Sequence, residues 1–436
     1  MILPTGRALR IGAALSLLGL LGVWKPQALD LLLLADAVLL VAVWFDATRT
    51  RPTAPGLAIA REAPAAFAVG RTAAVVYRWR NDSRRRLRLR VREVRPDLLG
   101  GTQPPRGLTV PPHAEAREVL PVAPIRRGRE RRGAMVVDSR GPLGLGLRRV
   151  SLDLPWEAMV YPPLASARRA ALVGPRRRES GATAVRRLGE GRLFESLREW
   201  VTGDDLRHID WKATARRRKV IVRQYEAERR QQVLLVLDTG RLLTAEIGGV
   251  ARLDYVVRAA CELAYAAVQR DDNVGIMVFA DGVQHFVPPG RGRIGLKRVM
   301  DVLAVVEPRL VEPDYPGAFR YLALRNRKRA LTVLFSDVID RFASEALVAH
   351  VAQLRPRHLP LAVTLRNPEI DAVAAARPTT PEEAFRKAAA EELLRAREEA
   401  LTHMRRAGVL VLDVAPERAA EAVVAQYLEL KRRGRL

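Results

Sequence analysis

Cysteine is nearly absent: Cys261 is the only one in 436 residues. An intrachain disulfide and a cysteine-based zinc site are therefore both excluded. Cys261 lies in an apolar run from Tyr255 to Val268 that reads as a buried helix, so it belongs to a core. Aromatic residues make up 5% of the chain, too few for base-stacking platforms, and no DNA- or RNA-binding motif occurs. The catalytic signatures of a phosphate-binding P-loop, a G-x-S-x-G nucleophile elbow and an H-E-x-x-H zinc helix are all missing. Gly290-Arg291-Gly292-Arg293-Ile294-Gly295 follows Pro288-Pro289 and lacks the Lys-Ser/Thr ending of a phosphate loop; it reads as an ordinary loop.

Basic residues, by contrast, are abundant. Lys and Arg number 74 against 48 Asp and Glu, a formal charge of +26 carried mostly by Arg. An Arg/Ala-rich composition of this kind accompanies GC-rich coding, yet its physical consequence stands: such a surface attracts acidic lipids, nucleic acid or acidic proteins. A nucleic-acid role would rest on charge alone and is not expected. With 48% hydrophobic and 28% charged residues, the chain should be largely globular, and its length calls for two or three domains.

The N-terminus carries two apolar runs. Ile11 to Trp24 is uncharged, Lys25-Pro26-Gln27 interrupts, and Ala28 to Phe45 follows with only Asp30 and Asp36. No small-x-small cleavage site follows the first run, so a membrane hairpin within residues 1–50 is expected, with spans of about 7–24 and 28–45. The first run alone covers roughly 21 Å at 1.5 Å per residue; Arg7 and Arg10 snorkelling would extend it. Arg7 and Arg10 precede the hairpin, Arg49 and Arg51 follow it, and only Lys25 lies in the turn. The positive-inside rule then keeps both ends and the rest of the chain in the cytoplasm. Trp24 and Trp44 sit at run ends, where interfacial aromatics belong. Asp36, near the middle of the second span, would need a partner there.

Residues 52–165 read as a β module. Val75, Tyr77 and Trp79 alternate with polar residues, Asn81-Asp82-Ser83 gives a turn, and Leu87, Leu89 and Val91 alternate with Arg88, Arg90 and Arg92. Pro104-Pro105, Pro111-Pro112 and Gly141-Pro142 punctuate the remainder. A small β-sandwich with a basic outer face fits this pattern, and that face is either simply solvated or touches a nearby anionic leaflet.

Residues 166–231 hold the most distinctive text. A polar, basic stretch leads into Phe194, Arg198, Glu199 and Trp200, then Gly203, Asp204, Asp205, Arg207, Asp210, Trp211 and Lys212. A strand with Val220, Val222 and Gln224 passes into Tyr225 and Glu226. The pattern F-x-x-x-R-E-W-x-x-G-D-D-x-R-x-I-D-W-K-A-T-A-R, ending V-R-Q-Y-E-x-E, resembles the signature of the bacterial domain-of-unknown-function 58 family. The family's order (two membrane helices, a β module, the signature, a von Willebrand factor A-like domain) matches the organisation read from the residues. The chain departs from the family at Leu206, where proline is frequent, and at Gly141-Pro142-Leu143-Gly144-Leu145, where an Asp-Pro-Phe-Gly sequence is common. The resemblance implies a protein at the bacterial inner membrane, mostly cytoplasmic, that partners a MoxR-type AAA+ ATPase and its clients; the family has no defined catalytic activity.

The signature residues admit three readings: an ion-pair lattice fixing the segment, a partner-binding surface anchored by Trp and Arg, or a metal-dependent hydrolase site. The last would use Asp204, Asp205, His208, Asp210, Glu226 and Glu228, but no metal-ligand spacing is complete and each acid has a basic neighbour in sequence.

Residues 232–436 alternate strands and helices. Strands are read at Val233–Leu237, Val274–Ala280, Val283–Val287, Leu331–Phe335, Leu359–Leu365 and Val409–Val414. Helices are read at Leu253–Gln269, Gly295–Val306, Glu345–Leu354, Pro381–Arg406 and Glu417–Lys431. This predicts a doubly wound, mostly parallel sheet of von Willebrand A-like type, whose site lies at the strand carboxyl ends. Asp238 and Asp337 both fall there. A metal-ion-dependent adhesion site would need D-x-S-x-S, and Asp238-Thr239-Gly240-Arg241-Leu242 lacks both hydroxyls. Asp314-Tyr315-Pro316-Gly317-Ala318 likewise supplies no threonine. Asp238 and Asp337 therefore form a degenerate site: no cofactor is expected, Mg²⁺ would bind only residually through the two acids and waters, and Arg241 is a candidate partner for the acids. The chain as a whole is expected to act by binding partners, not as an enzyme.

Overall fold

A computed structural model describes residues 1–19, 27–49, 56–163, 193–201, 209–226, 230–337, 341–355 and 357–436. The chain divides into two compact units, Met1–Pro163 and Leu164–Leu436.

The first unit joins two helices to a set of facing sheets. Strand β1 (Ile2–Pro4) precedes α1 (Gly6–Gly19) and α2 (Gln27–Thr48). Then come β2 (Leu57–Glu62), β3 (Phe67–Ala68), β4 (Ala73–Asn81) and β5 (Leu87–Val94). They are followed by β6 (Arg106–Val110), β7 (Ala114–Val122), β8 (Gly128–Glu130), β9 (Ala134–Arg140), β10 (Gly146–Asp153) and β11 (Ala158–Tyr161).

Alternation decides which faces meet. In β4, Val75, Tyr77 and Trp79 are fully buried; in β5, Leu87, Leu89 and Val91 are buried while the arginines between them are exposed. The two strands enter different sheets, ordered β2-β4-β7 and β1-β10-β9-β5-β6, and share one core with Trp156 and Val160. The Asn81 turn is therefore a corner between layers. Its buried amide donates to the carbonyls of Arg85 and Pro111, each at 2.8 Å, and fixes the turn.

Asp30–Thr48 is long and apolar enough to cross a membrane. The first span, expected to reach residue 24, is described as a helix only to Gly19, and residues 20–26 lie outside the described set. The second outlasts its expected end at 45 because Asp46 becomes a buried anchor. Its Oδ1 accepts from Leu143 N at 2.8 Å, and its Oδ2 from Leu145 N at 2.8 Å and Gly146 N at 2.9 Å. The N-terminal residues Ile2–Pro4, unassigned in the sequence reading, pair with Gly146–Arg148 of β10.

The second unit begins with an antiparallel pair, β12 (Leu193–Glu199) and β13 (Ile221–Glu226), with helix α3 (Trp211–Arg217) between them in sequence. The α/β sheet starts at β14 (Gln232–Asp238). A small ribbon, β15 (Glu246–Ile247) and β16 (Val250–Ala251), leads into α4 (Arg252–Gln269). Next are β17 (Asn273–Phe279), β18 (Val283–Gly290), α5 (Gly292–Val305) and α6 (Tyr315–Arg325). The domain ends with β19 (Leu331–Phe335), α7 (Arg341–Gln353), β20 (Leu359–Leu365), α8 (Pro368–Ala375), α9 (Pro381–Arg406), β21 (Leu410–Val414) and α10 (Ala419–Arg432).

Sheet order is β18-β17-β14-β19-β20-β21, with only the edge strand β18 antiparallel. Counted within the domain this is 3-2-1-4-5-6, so the order reverses between β14 and β19. In open α/β sheets that switch point is where ligands enter, at the strand carboxyl ends. The four central strands, β17, β14, β19 and β20, are buried on both faces, which explains their unbroken apolar runs.

Two helices escaped the sequence reading. α6 starts at Asp314, which accepts from Gly317 N at 3.0 Å, and α8 starts at Asn367, which accepts from Glu369 N at 3.1 Å. Both carry proline in the first turn. The glycine-rich stretch at 290–295, read as a loop, is instead the end of β18 and the start of α5. Glycine is required there: a Cβ on Gly295 would lie 2.3 Å from the Gly290 carbonyl oxygen.

Candidate functional site

The switch point holds both acids named from the sequence, and neither is open. Asp238 is 2% exposed at the end of β14. Its Oδ1 accepts from Gly240 N at 2.8 Å, while Oδ2 accepts from Tyr315 OH and from Ser336 Oγ, each at 2.7 Å. Burial pushes this carboxyl above its ordinary range, against the opposing pull of the Gly240 amide and the Ser336 and Tyr315 hydroxyls. Tyr315, from the first turn of α6, is itself pushed upward by burial and the adjacent acid. Thr239 faces elsewhere, its hydroxyl donating to Phe279 O at 2.9 Å.

Asp337 follows β19, is 3% exposed, and is held by two guanidinium groups. Arg252 Nη1, from the first turn of α4, donates to Oδ2; Arg397 Nη1, from the middle of α9, donates to Oδ1 at 2.9 Å. Arg397 then bridges onward, Nη2 donating to Asp413 Oδ1 of β21 at 2.7 Å and to Leu365 O of β20 at 3.0 Å. Asp413 also accepts from Thr364 Oγ1 and Arg366 Nε, each at 2.9 Å. Desolvation would raise the Asp413 carboxyl, but Arg397, Thr364 and Arg366 outweigh it and leave it below its usual range. Arg397 is desolvated too, yet Asp337 and Asp413 hold its pKa above normal.

These donors do not fit a divalent cation. A metal needs oxygen lone pairs directed at one point, and here hydroxyls, an amide and two fixed cations already occupy the carboxylates. Among the described residues no three His, Cys, Asp or Glu side chains cluster as a metal site. The suspected partner Arg241 turns away and pairs with Glu312 at 2.6 Å on the surface; the acids are met instead by Arg252 and Arg397, whose basic character carried no positional signal in the sequence.

Beside this network a cavity of about 300 Å³ opens between α8 and α9. Ile370, Leu393 and Leu394 form its apolar wall, and Arg252, Arg397 and Asp413 its polar floor. Such a recess suits an apolar side chain with a polar tip.

The signature residues are distributed differently. Phe194, Arg198, Tyr225 and Glu226 lie on β12 and β13, with Phe194 opposite Tyr225 and Leu193 opposite Glu226. Asp210 caps α3, accepting from Ala213 N at 3.0 Å. Glu199 pairs with Lys219 at 2.9 Å on the surface. Trp211 is 71% and Trp200 36% exposed, and Lys212 is exposed as well. Gly203, Asp204, Asp205, Arg207 and the acid-site candidates His208 and Glu228 lie outside the described residues.

A doubly wound α/β domain, preceded by a strand-helix-strand segment and belonging to a chain with an N-terminal apolar helix, is the class these features define. Residues 196–374 match the family model described as "Protein of unknown function DUF58". Uncharacterized protein Rv1480 of Mycobacterium tuberculosis (strain ATCC 25618 / H37Rv) is 28% identical over 153 residues, which are 35% of this chain and 46% of that protein. An uncharacterized protein of Mycobacterium bovis matches to the same extent. The chain thus spans about half the length of the curated relatives it matches. Among solved structures, the CARDB domain of a Pyrococcus furiosus protein in complex with di-metal ions is 15% identical, covering 24% of this chain and 92% of that one at a TM-score of 0.18. Proximal thread matrix protein 1 from the mussel byssus is 12% identical over 44% of each chain, at a TM-score of 0.27.

Proposed function

We propose that this protein is a membrane-anchored, cytoplasm-facing adaptor whose von Willebrand A-like domain and signature segment bind protein partners, a MoxR-type AAA+ ATPase and its clients, without catalysis. The observation that carries this reading is the exposure of Trp211, at 71%, on a short helix capped by Asp210. An indole held in water forfeits on the order of 3 kcal/mol that burial would return, and Trp beside a cation is a favoured interface anchor. The 3-2-1-4-5-6 order and the acids at the switch point support the von Willebrand A-like assignment. Their guanidinium partners support a binding face that works without Mg²⁺. Arg7, Arg10 and Arg49 support the cytoplasmic orientation.

Affinity capture of the full-length protein from native membranes, with the ATPase trapped in its ATP-bound state, tests the proposal. Recovery of an AAA+ ATPase that is lost with Trp211→Ala is the expected result. Recovery of none, together with phosphoester hydrolysis by the purified protein, would sink it in favour of a hydrolase.

A further inference from the structure

Where α2 ends, the first unit has a recess of about 580 Å³ in which Arg49, Arg85, Arg86, Arg88 and Arg140 all take part, with Ser139 among its lining residues. Among the described residues no carboxylate lines it. Several arginines elsewhere in this unit are matched with acids: Arg61 with Glu93, Arg78 with Glu62, Arg106 with Glu118, Arg149 with Asp138. Among the described residues, none of the five arginines in the recess has an acid within ion-pair reach. Five exposed arginines around one hollow make a strongly cationic patch that would draw an anion.

The walls are built, not incidental. Asn81 fixes the 81–85 turn through its bonds to Arg85 O and Pro111 O, and its Oδ1 accepts from Ser83 N at 3.0 Å. Arg85 Nη1 donates to Arg49 O at 3.2 Å, tying that turn to the end of α2. Asp46, three residues before Arg49, is spent on the 143–146 amides. Ser139 is 1% exposed, and its hydroxyl has no hydrogen-bond partner among the described residues. Its cross-strand partner is the core residue Leu89, so the hydroxyl lies on the core face of the sheet, behind the exposed arginines.

Phosphate suits this arrangement better than carboxylate. It offers several oxygens to planar guanidinium forks. Position indicates the source. Asp30–Thr48 spans 19 residues, about 28 Å at the helical rise, close to the hydrocarbon thickness of a bilayer. Thr48 and Arg49 then stand at headgroup level, where anionic lipid concentrates basic side chains. We propose that this recess is a phosphate-binding site, filled in the membrane by the headgroup of an anionic phospholipid. The proposal needs α2 in the bilayer but not the adaptor role.

The test uses the full-length protein in nanodiscs of phosphatidylcholine with or without phosphatidylglycerol, with retained lipid read by native mass spectrometry. A parallel arm titrates inorganic phosphate into the detergent-solubilised protein by calorimetry. Phosphatidylglycerol should be retained in preference to phosphatidylcholine. The preference should fall about tenfold in Arg86→Gln/Arg140→Gln, the size of a lost charge-assisted hydrogen bond. Arg92→Gln removes an exposed charge from the same strand outside the recess and should leave the preference intact. Arg86→Gln/Arg140→Gln changes two exposed side chains, so its melting temperature should not fall, which separates lost binding from lost folding. Phosphate binding that needs the same residues, without any lipid preference, would keep the site and overturn the lipid as its occupant. Equal weakening by Arg92→Gln, or no binding in either arm, would overturn the site itself.

Discussion

Arg397 reaches Asp337 across 60 residues of chain, Nη1 to Oδ1 at 2.9 Å, with the two side chains 13% and 2% exposed. The same guanidinium clasps Asp413, so one side chain of α9 fastens that helix to β19 and β21 together. Removing it takes a cation from two buried carboxylates at once, leaving Asp337 to Arg252 and Asp413 to Arg366 and Thr364. Arg397→Ala should cost about 3–5 kcal/mol, the range for breaking a buried ion pair from one side. Arg366→Ala, which deletes a pairing arginine that is 58% exposed, should cost at most about 1 kcal/mol. Thermal melting of the full-length protein in detergent distinguishes them.

The two strand-end acids should respond oppositely to neutralisation. Asp337→Asn leaves Arg252 and Arg397 short of charge and should destabilise by several kcal/mol, on the order of a broken buried pair. Asp238→Asn removes a carboxyl whose pKa burial has raised. Between the unfolded value near 3.9 and that raised folded value, the native state holds a proton that the unfolded chain has lost, so this group's contribution falls as pH rises. Asp238→Asn should therefore gain stability relative to wild type as pH climbs through the folded pKa. A constant difference from mildly acidic to alkaline pH would contradict the assignment.

Asp413 predicts the opposite limb. Its folded pKa is lowered by Arg397, Thr364 and Arg366 against desolvation, so its contribution is present above about pH 4 and lost as pH falls through the folded value. Acid unfolding should begin at higher pH in Arg397→Ala than in wild type. Circular dichroism across an acid titration reads the shift.

Magnesium should not matter to the folded domain. With both acids already bonded, saturating MgCl₂ or EDTA should leave the wild-type melting temperature unchanged, because a ligand stabilises only in proportion to its occupancy of the native state. A magnesium-dependent rise abolished by Asp238→Asn would restore the adhesion-type site.

Gly146 fixes how closely α2 approaches the β module. A Cβ there would lie 2.3 Å from Val43 O and 2.9 Å from Ala47 Cβ. Gly146→Ala should cost about 1–3 kcal/mol by overpacking. Asp46→Ala, which orphans three backbone amides, should cost at least as much, about 1–3 kcal/mol for each buried donor left unpaired. Both should speed proteolysis between α2 and β2, measured on the detergent-solubilised protein.

Much of the scaffold could be read before folding was considered. Leu331–Phe335, Leu359–Leu365 and Pro381–Arg406 appear where their apolar runs, turn residues and proline placed them. Asp238 and Asp337 stood out because an acid ending an apolar strand is a local pattern. α6 and α8 were missed because their starts rest on single capping side chains, and α8 buries none of its residues fully, which leaves little apolar periodicity to read. Trp200 and Trp211 were visible as residue types, but nothing in the text told a buried lattice from a displayed surface.

The sequence by itself determined most strands and helices, the apolar N-terminal helix and the acids at the strand ends, since each depends on neighbours within a few residues. Tertiary structure alone decided what those acids meet. Arg252, Tyr315 and Arg397 arrive from helices 85, 77 and 60 residues away from their partners, and five arginines without acids converge where α2 ends. Periodicity fixes a local conformation; which distant charge closes on which depends on helix packing across the sheet, and no spacing along the chain records it.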